Sequence, residues 1–258
     1  MSAAVTLSPE TRPVNYSTLK KIADSGVQYQ HALGETSAPT APMSLGSAVH
    51  AMTLGQRPDQ PVVCFHGRRA GKAWEAFEAE HAGATILNEA EWEKAAAISA
   101  AVLADPIARE YMARARFEVP LTWDDGGVLC GTSGIDIVQP NRIGDLKTAR
   151  TTHIDSFQRQ AFGFGYHCQL AWYRRGARAN GFDVSGGLFV VAVETVAPYE
   201  VVVHEMSEDL IDLGERTISL WLEKYRTYSE SNQWPGRAQS AVVWTVPSWM
   251  QDEDDDDE

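Results

Sequence analysis

Cysteine is scarce in this sequence. Cys64, Cys130 and Cys168 are three thiols in 258 residues, odd in number and widely spaced. That excludes a disulfide framework and a CxxC metal site and leaves ordinary reduced thiols. Long apolar runs are missing as well: none approaches the roughly 20 residues a membrane helix needs, and the N-terminus lacks a basic-then-apolar signal pattern. The expected location is the cytoplasm, with no membrane partner. Positive charge is also in deficit, with 22 Lys and Arg against 35 Asp and Glu and a net charge of −13. Such a deficit argues against a nucleic-acid partner. Its distribution changes that reading, because seven acidic side chains lie in the last eight residues, 251–258. Without them, 28 acidic side chains face 22 basic ones. A body this close to balance can hold DNA where positive charge clusters and metal ions bridge carboxylates to phosphates. The tail is expected to be disordered, since seven like charges cannot pack together; a partner-binding or DNA-mimicking role is the alternative.

What is present reads as helices followed by a mixture of strands and helices. Residues 1–14 carry no periodic pattern and read as a flexible lead-in. Ser17 is the expected N-cap of a helix through Leu19, Ile22 and Ala23 toward Leu33. Residues 36–42 read as a loop, and Ser44 opens a second helix, Leu45 to Leu54, closed near Gly55. Further helices are expected over Trp74 to His81, Glu89 to Leu103 and Pro106 to Arg114, the last with Pro at its start. After Arg116 come short runs separated by turn residues: Phe117 to Leu121, Val128 to Thr132, Ile135 to Val138 and Ile143 to Lys147. A helix from about Ile154 through Arg175 follows. Gly187 to Thr195 then reads as a buried strand and Glu200 to His204 as another. A last helix spans about Ser207 to Tyr228, with Leu210, Leu213, Ile218, Leu222 and Tyr225 on its apolar stripe. The expectation is one α/β domain over 15–250, its helical part 15–114 and its sheet-and-helix core 115–250.

The chemistry concentrates in Gly134-Ile135-Asp136-Ile137-Val138 and Ile143-Gly144-Asp145-Leu146-Lys147-Thr148. Two adjacent strands each set a carboxylate among apolar neighbours, and burying two ionised carboxylates together calls for a cation. Strand alternation puts Asp145 and Lys147 on one face and Leu146 on the other. With Asp136 opposite, that face offers two oxygen ligands and an ammonium group, which suits Mg²⁺ or Mn²⁺. It also suits phosphodiester hydrolysis: the metal polarises a phosphate oxygen and activates water, while Lys147 orients that water or offsets transition-state charge. The bland reading is a surface Asp/Lys pair beside an unrelated turn carboxylate.

These motifs resemble the PD-(D/E)xK nuclease superfamily, and more closely the phage and prophage exonucleases of the RecE type (exodeoxyribonuclease VIII), relatives of the RecB nuclease domain. The resemblance spans roughly Tyr16 to Gly236. It begins with Tyr16-Ser17-Thr18-Leu19-Lys20. Leu45-Gly46-Ser47-Ala48-Val49-His50 is similar to the Gly-x-x-x-His helix whose histidine ligates metal. Asp136 and Asp145-Leu146-Lys147-Thr148 match the metal carboxylates and catalytic lysine. Tyr166-His167-Cys168-Gln169-Leu170-Ala171-Trp172-Tyr173 matches a Tyr-x-x-Gln-x-x-x-Tyr helix. Here Gly134-Ile135-Asp136 replaces the Pro-Asp of the superfamily's name.

The resemblance implies a restriction-endonuclease-like core, a mixed central sheet flanked by helices. It implies Lys147, Asp145, Asp136 and Gln169 as the catalytic set. His50, Asp136, Asp145 and the Leu146 carbonyl would be metal ligands, His50 through a neutral ring nitrogen. Gln169, Tyr173 and Tyr166 would contact DNA, and Glu118 is a further acidic candidate. Gln169 and Tyr173, spaced i, i+4, share a helix face. His167 reads as helix surface, and Leu170 and Trp172 as packing residues. Arg174, Arg175, Lys20 and Lys21 are candidate phosphate contacts or solvated surface.

The implied activity is removal of one strand of linear duplex DNA from its ends, 5′ to 3′, yielding single strands for a recombination annealing protein. A ring-like homo-oligomer and a phage or prophage gene in a bacterial host are implied as well. The competing readings are an endonuclease or Cas4-like nuclease of the same fold, or a DNA-binding protein that does not cleave. The lack of a cysteine cluster argues against the iron–sulfur variety.

Overall fold

Residues 12–35 and 38–246 are described in a computed structural model. The lead-in up to residue 11 and the acidic tail lie outside the described residues. The end of the lead-in is held in place: the Val14 N–H donates to the Leu129 carbonyl at 2.9 Å, and its carbonyl accepts from Gly131 at 2.8 Å.

The helical part is more broken than expected. α1 (Tyr16–Leu19) is capped by Asn15 rather than Ser17, because the Asn15 carboxamide oxygen accepts the Thr18 N–H at 3.0 Å. Ser17 instead donates to that same oxygen. A 3-10 turn (Lys20–Ala23) follows, and Ser25 caps a separate α2 (Gly26–Gly34). α3 (Ala41–Leu54) begins before Ser44, since Pro42 suits a first helical turn, and it ends at Gly55 with φ 107°. Two parallel strands, β1 (Val62–Cys64) and β2 (Thr85–Leu87), flank α4 (Lys72–Glu80) within the helical part, where no strand was expected. α5 (Glu89–Ala104) starts on a capping box between Asn88 and Glu91, and α6 (Pro106–Met112) on an Asp105 cap.

The core is a mixed sheet of β3 (Arg116–Asp125), β4 (Val128–Val138), β5 (Ile143–Ala149), β6 (Leu188–Glu194) and β7 (Val201–Glu205), in that spatial order. Only β5 and β6 are parallel. The two short strands expected over 128–138 are one strand, and its irregularity lies in the pairing between Val119 and Leu121. The β5–β6 crossover holds α7 (Ile154–Phe164) and α8 (Tyr166–Ala179), where one helix was expected; Gly165 at φ 77° separates them. α9 (Glu208–Ser231), capped by Ser207, closes the described domain. Its buried stripe runs through Ile211, Gly214, Ile218 and Leu222, leaving Leu213 exposed.

Both sheet faces are covered, so β6 buries side chains in both directions. Val190 and Ala192 pack with Leu170, Ala171 and Trp172 of α8, whereas Phe189, Val191 and Val193 pack with Val49 of α3 and Ile98 of α5. Each such Val, Leu, Ile or Phe side chain contributes about 1.5–3 kcal/mol by leaving water. The indole N–H of Trp172 donates to the Gly131 carbonyl at 3.2 Å, which fixes α8 against β4. The helix bearing Gln169 and the helix bearing His50 therefore converge on one end of the sheet. Among the described residues, no helix is long and apolar enough to cross a membrane.

Candidate active site

The site forms where two strands part. β4 and β5 pair at Val138↔Ile143 and Ile137↔Gly144, a register that would next oppose Asp136 and Asp145. The ladder stops there. The Leu146 N–H, which needs an acceptor once buried, instead donates to Asp136 Oδ2 at 2.8 Å. Asp136 and Asp145 are both buried, and the Leu146 side chain is wholly buried on the opposite sheet face. Lys147 makes an ion pair with Asp145. The alternation expected from sequence thus holds, and the gap between the strands opens a cleft of 280 Å³.

Two more elements reach into that cleft. His50 of α3 places Nε2 2.7 Å from the Leu146 carbonyl. A carbonyl only accepts, so Nε2 carries a proton and Nδ1 turns to the acids, 3.5 Å from Asp136 and 3.8 Å from Glu118. His50, Glu118 and Asp136 each offer a donor atom, all within 4.8 Å of one another. Glu118 is brought in by an unusual backbone, with φ 50° beside the irregular β3–β4 pairing. Gly134 across from it leaves the space: a Cβ there would lie 2.6 Å from Glu118 Oε2. Arg57, in the loop after α3, reaches the other side of Glu118 at 3.3 Å and also pairs with Asp59.

The electrostatics are those of a site built around positive charge. Burial pushes Asp145 up to about 7; Lys147 opposes the shift and Asp136 adds to it. Apart from the Lys147 ammonium, neither Asp145 oxygen has a polar partner among the described residues. Burial lowers His50, but Asp136 and the bond to Glu118 outweigh it, so the net shift is upward. The same balance raises Lys147, where burial yields to Asp145 and Asp136 and the ammonium stays charged. The donor set is hard oxygens plus one imidazole, and a buried carboxylate is left short of partners. That fits a divalent metal held by Asp136, Asp145, His50 and Glu118. The Leu146 carbonyl borders the same set through His50.

α8 supplies the remaining wall. Gln169 donates to the Tyr173 hydroxyl at 2.9 Å, as i, i+4 neighbours should, and both line the cleft. Tyr173 is held far above its usual range, first by burial and then by Asp145 and Asp136, so its hydroxyl stays protonated. The Tyr166 ring lies 5.2 Å from Lys147 Nζ. Lys20 sits above the Tyr16 ring at 5.6 Å, toward Lys147, while Lys21 is exposed.

Other sequence readings fail. His167 is buried, not surface, and stacks on Phe162 at 4.7 Å. Arg174 and Arg175, read as candidate phosphate contacts or solvated surface, face α9 and β3. Arg174 binds Glu208, Asp212 and Glu215, and Arg175 binds Glu215 and Asp125. Arg57, Gln60 and Ser133 line the cleft with no local pattern to mark them: Arg57 and Gln60 come from the loop after α3, and Ser133 from β4.

Residues 15–244 match a family described as a PDDEXK-like domain of unknown function. No curated protein matches the sequence. Among solved structures, the chain is similar to a Eubacterium rectale protein described as a "Putative exonuclease". Identity is 15% and the TM-score 0.63, over 96% of this chain and 98% of that one. At that identity the likeness concerns the fold. The family match covers most of the sequence, and the carboxylates and lysine that give the family its motif stand on adjoining strands. The chain belongs to the PDDEXK-like domain family, within the PD-(D/E)xK nuclease superfamily.

Proposed function

We propose that this protein is a magnesium-dependent exodeoxyribonuclease that degrades one strand of linear duplex DNA from its ends. The observation that carries the reading is Asp145: a buried carboxylate with a lysine on one side and room for a metal beside Asp136, His50 and Glu118 on the other. Bound there, Mg²⁺ would polarise the scissile phosphate and lower the pKa of an attacking water. Lys147, held charged by Asp145, orients that water and offsets negative charge on the pentavalent phosphorus. His50 keeps its orientation through the Leu146 carbonyl, a contact that reserves Nδ1 for the acids or the metal. Gln169 and Tyr173 form the wall along which the strand runs, the amide and phenol serving the phosphate.

The likeness to an E. rectale protein described as an exonuclease and the family resemblance support end-dependence. The 5′ to 3′ polarity, supply of single strands to an annealing protein, a ring-like homo-oligomer and a phage or prophage origin rest on the resemblance alone. Incubation with linear and covalently closed circular duplex, each with Mg²⁺ or chelator, tests the reading. Loss of linear DNA only, and only with metal, is expected. A cut circle would make the protein an endonuclease; binding without cleavage in either form would sink both enzymatic readings. End-labelled substrates fix the polarity.

A further inference from the structure

The helix break between α7 and α8 carries a cluster of rings that the hydrolytic chemistry leaves unused. Phe162-Gly163-Phe164-Gly165-Tyr166 sets three aromatics within five residues. The break is fixed, because the Tyr16 hydroxyl donates to the Gly165 carbonyl at 2.7 Å. Phe162 and Phe164 are nevertheless 55% and 56% exposed. One exposed aromatic needs no explanation, but two on the helix break that carries Tyr166 do. Tyr166 links them to the site: Lys147 Nζ lies 5.2 Å from its ring, and the Phe164 ring centroid is 5.9 Å from it. Phe162 stacks on His167, and Phe157 stacks on His204 with ring centroids 4.6 Å apart.

Phe157, Phe162, His167 and His204 border a pocket of 420 Å³ that Tyr166 also lines, with Phe164 next to it against the Tyr166 ring. His204 pairs with Val190, and Val190 with Asp145, so the pocket's imidazole and the catalytic carboxylate stand in one cross-strand row. Two strand spacings separate them, about 10 Å. No lysine or arginine lines the pocket among the described residues, which argues against an anion. Its acid, Glu205, is already bound to Tyr111 and Arg142. Burial lowers both histidines, favouring their neutral forms. A pocket walled by aromatic rings and neutral imidazoles, one ring away from a phosphate-handling lysine, suits a flat heterocycle joined to that phosphate.

We propose that Phe162 and Phe164 stack the unpaired nucleobases of the strand being cut, and that the pocket between α7 and β7 receives one of them. The inference rests on the nuclease reading and names its subsite. An enzyme that digests one strand of a duplex must break pairing at the end, and stacking on aromatic side chains compensates a freed base.

Lys147→Ala protein, chosen because it should cut too slowly to consume the probe during the measurement, is mixed with duplex carrying 2-aminopurine at the end. Stacking dims this fluorophore. Quenching is expected on binding, and most of it should vanish when Phe162→Ala and Phe164→Ala are added, while Phe164→Tyr retains it. In the active protein the double alanine variant should cut duplex ends about tenfold more slowly. An abasic terminal nucleotide should remove the difference between variant and parent. Both side chains are exposed, so an unchanged melting temperature accompanies these effects. Equal quenching by parent and variant, or equal slowing on normal and abasic ends, overturns the base site. So does an unaltered rate with a changed oligomeric state, which makes the patch a protein contact. Wild-type protein that quenches the probe but cuts no DNA removes the nuclease reading and leaves the base site standing.

Discussion

Arg174 and Asp145 are both almost fully buried charges, at 2% and 1% exposure, yet they are treated in opposite ways. The Arg174 guanidinium is spread over three carboxylates from α9, which ties that helix to α8. Asp145 has one ammonium and is otherwise left without polar partners. A buried charge that is fully met serves the fold; one left short is held ready for something that binds. Position in sequence does not separate the two cases. Arg174 stands one residue from Tyr173, which lines the catalytic cleft.

The largest expected effect breaks the under-satisfied side. Asp145→Ala and Lys147→Ala should each lower the DNA cleavage rate about 10²–10³-fold or more. Wild-type rates in either variant would remove that residue from the chemistry. On the satisfied side, Arg174→Met should cost about 2–3 kcal/mol in urea unfolding. Its affinity for Mg²⁺, read by calorimetry, should stay that of the parent. An Arg174→Met variant as stable as the parent would end the contrast.

pH sharpens the comparison further. Asp145, raised to about 7 chiefly by burial, keeps a proton in the folded state that the unfolded carboxylate has already released. His50, also raised, holds its proton above its ordinary range in the folded state. Asp145 therefore makes metal-free stability fall as pH rises from the ordinary carboxylate range through about 7, and His50 makes it fall further as pH rises above the ordinary imidazole range. A bound divalent cation takes the place of those protons, so Mg²⁺ should stabilise more at about pH 8 than at about pH 5. Urea unfolding at both pH values, with chelator and with Mg²⁺, measures this; equal stabilisation at the two would contradict it. The smallest effect concerns Glu118. Glu118→Gly relieves a side chain held at φ 50° and should raise stability by roughly 0.5 kcal/mol. It should also weaken Mg²⁺ binding, so unaltered affinity would exclude Glu118 from the metal set.

Much of the site was legible because its signals are local. Alternation on β5 placed Asp145 and Lys147 together, and an i, i+4 spacing placed Gln169 by Tyr173. His50 was legible only through a family pattern, since a histidine on a helix has many quieter explanations. Arg57 was not legible: its role depends on a loop meeting a strand 61 residues away. Arg174 was misread because the acids that claim it lie on α9, more than thirty residues further on. β1 and β2, three residues each, are too short to show a period. Gly165 gave too weak a signal against the helical pattern continuing on both sides of it, and the whole crossover read as one helix.

Where β4 and β5 part, one carboxylate does two jobs. Asp136 takes the place of a missing backbone partner for Leu146 and also faces the cleft. Its loss would leave a buried N–H unmet, so inactivation at this position carries a folding defect with it. Lys147 has no such duty toward the backbone. A descendant of this protein that gave up cutting and kept its shape would be expected to lose the lysine first and the strand-pinning aspartate last.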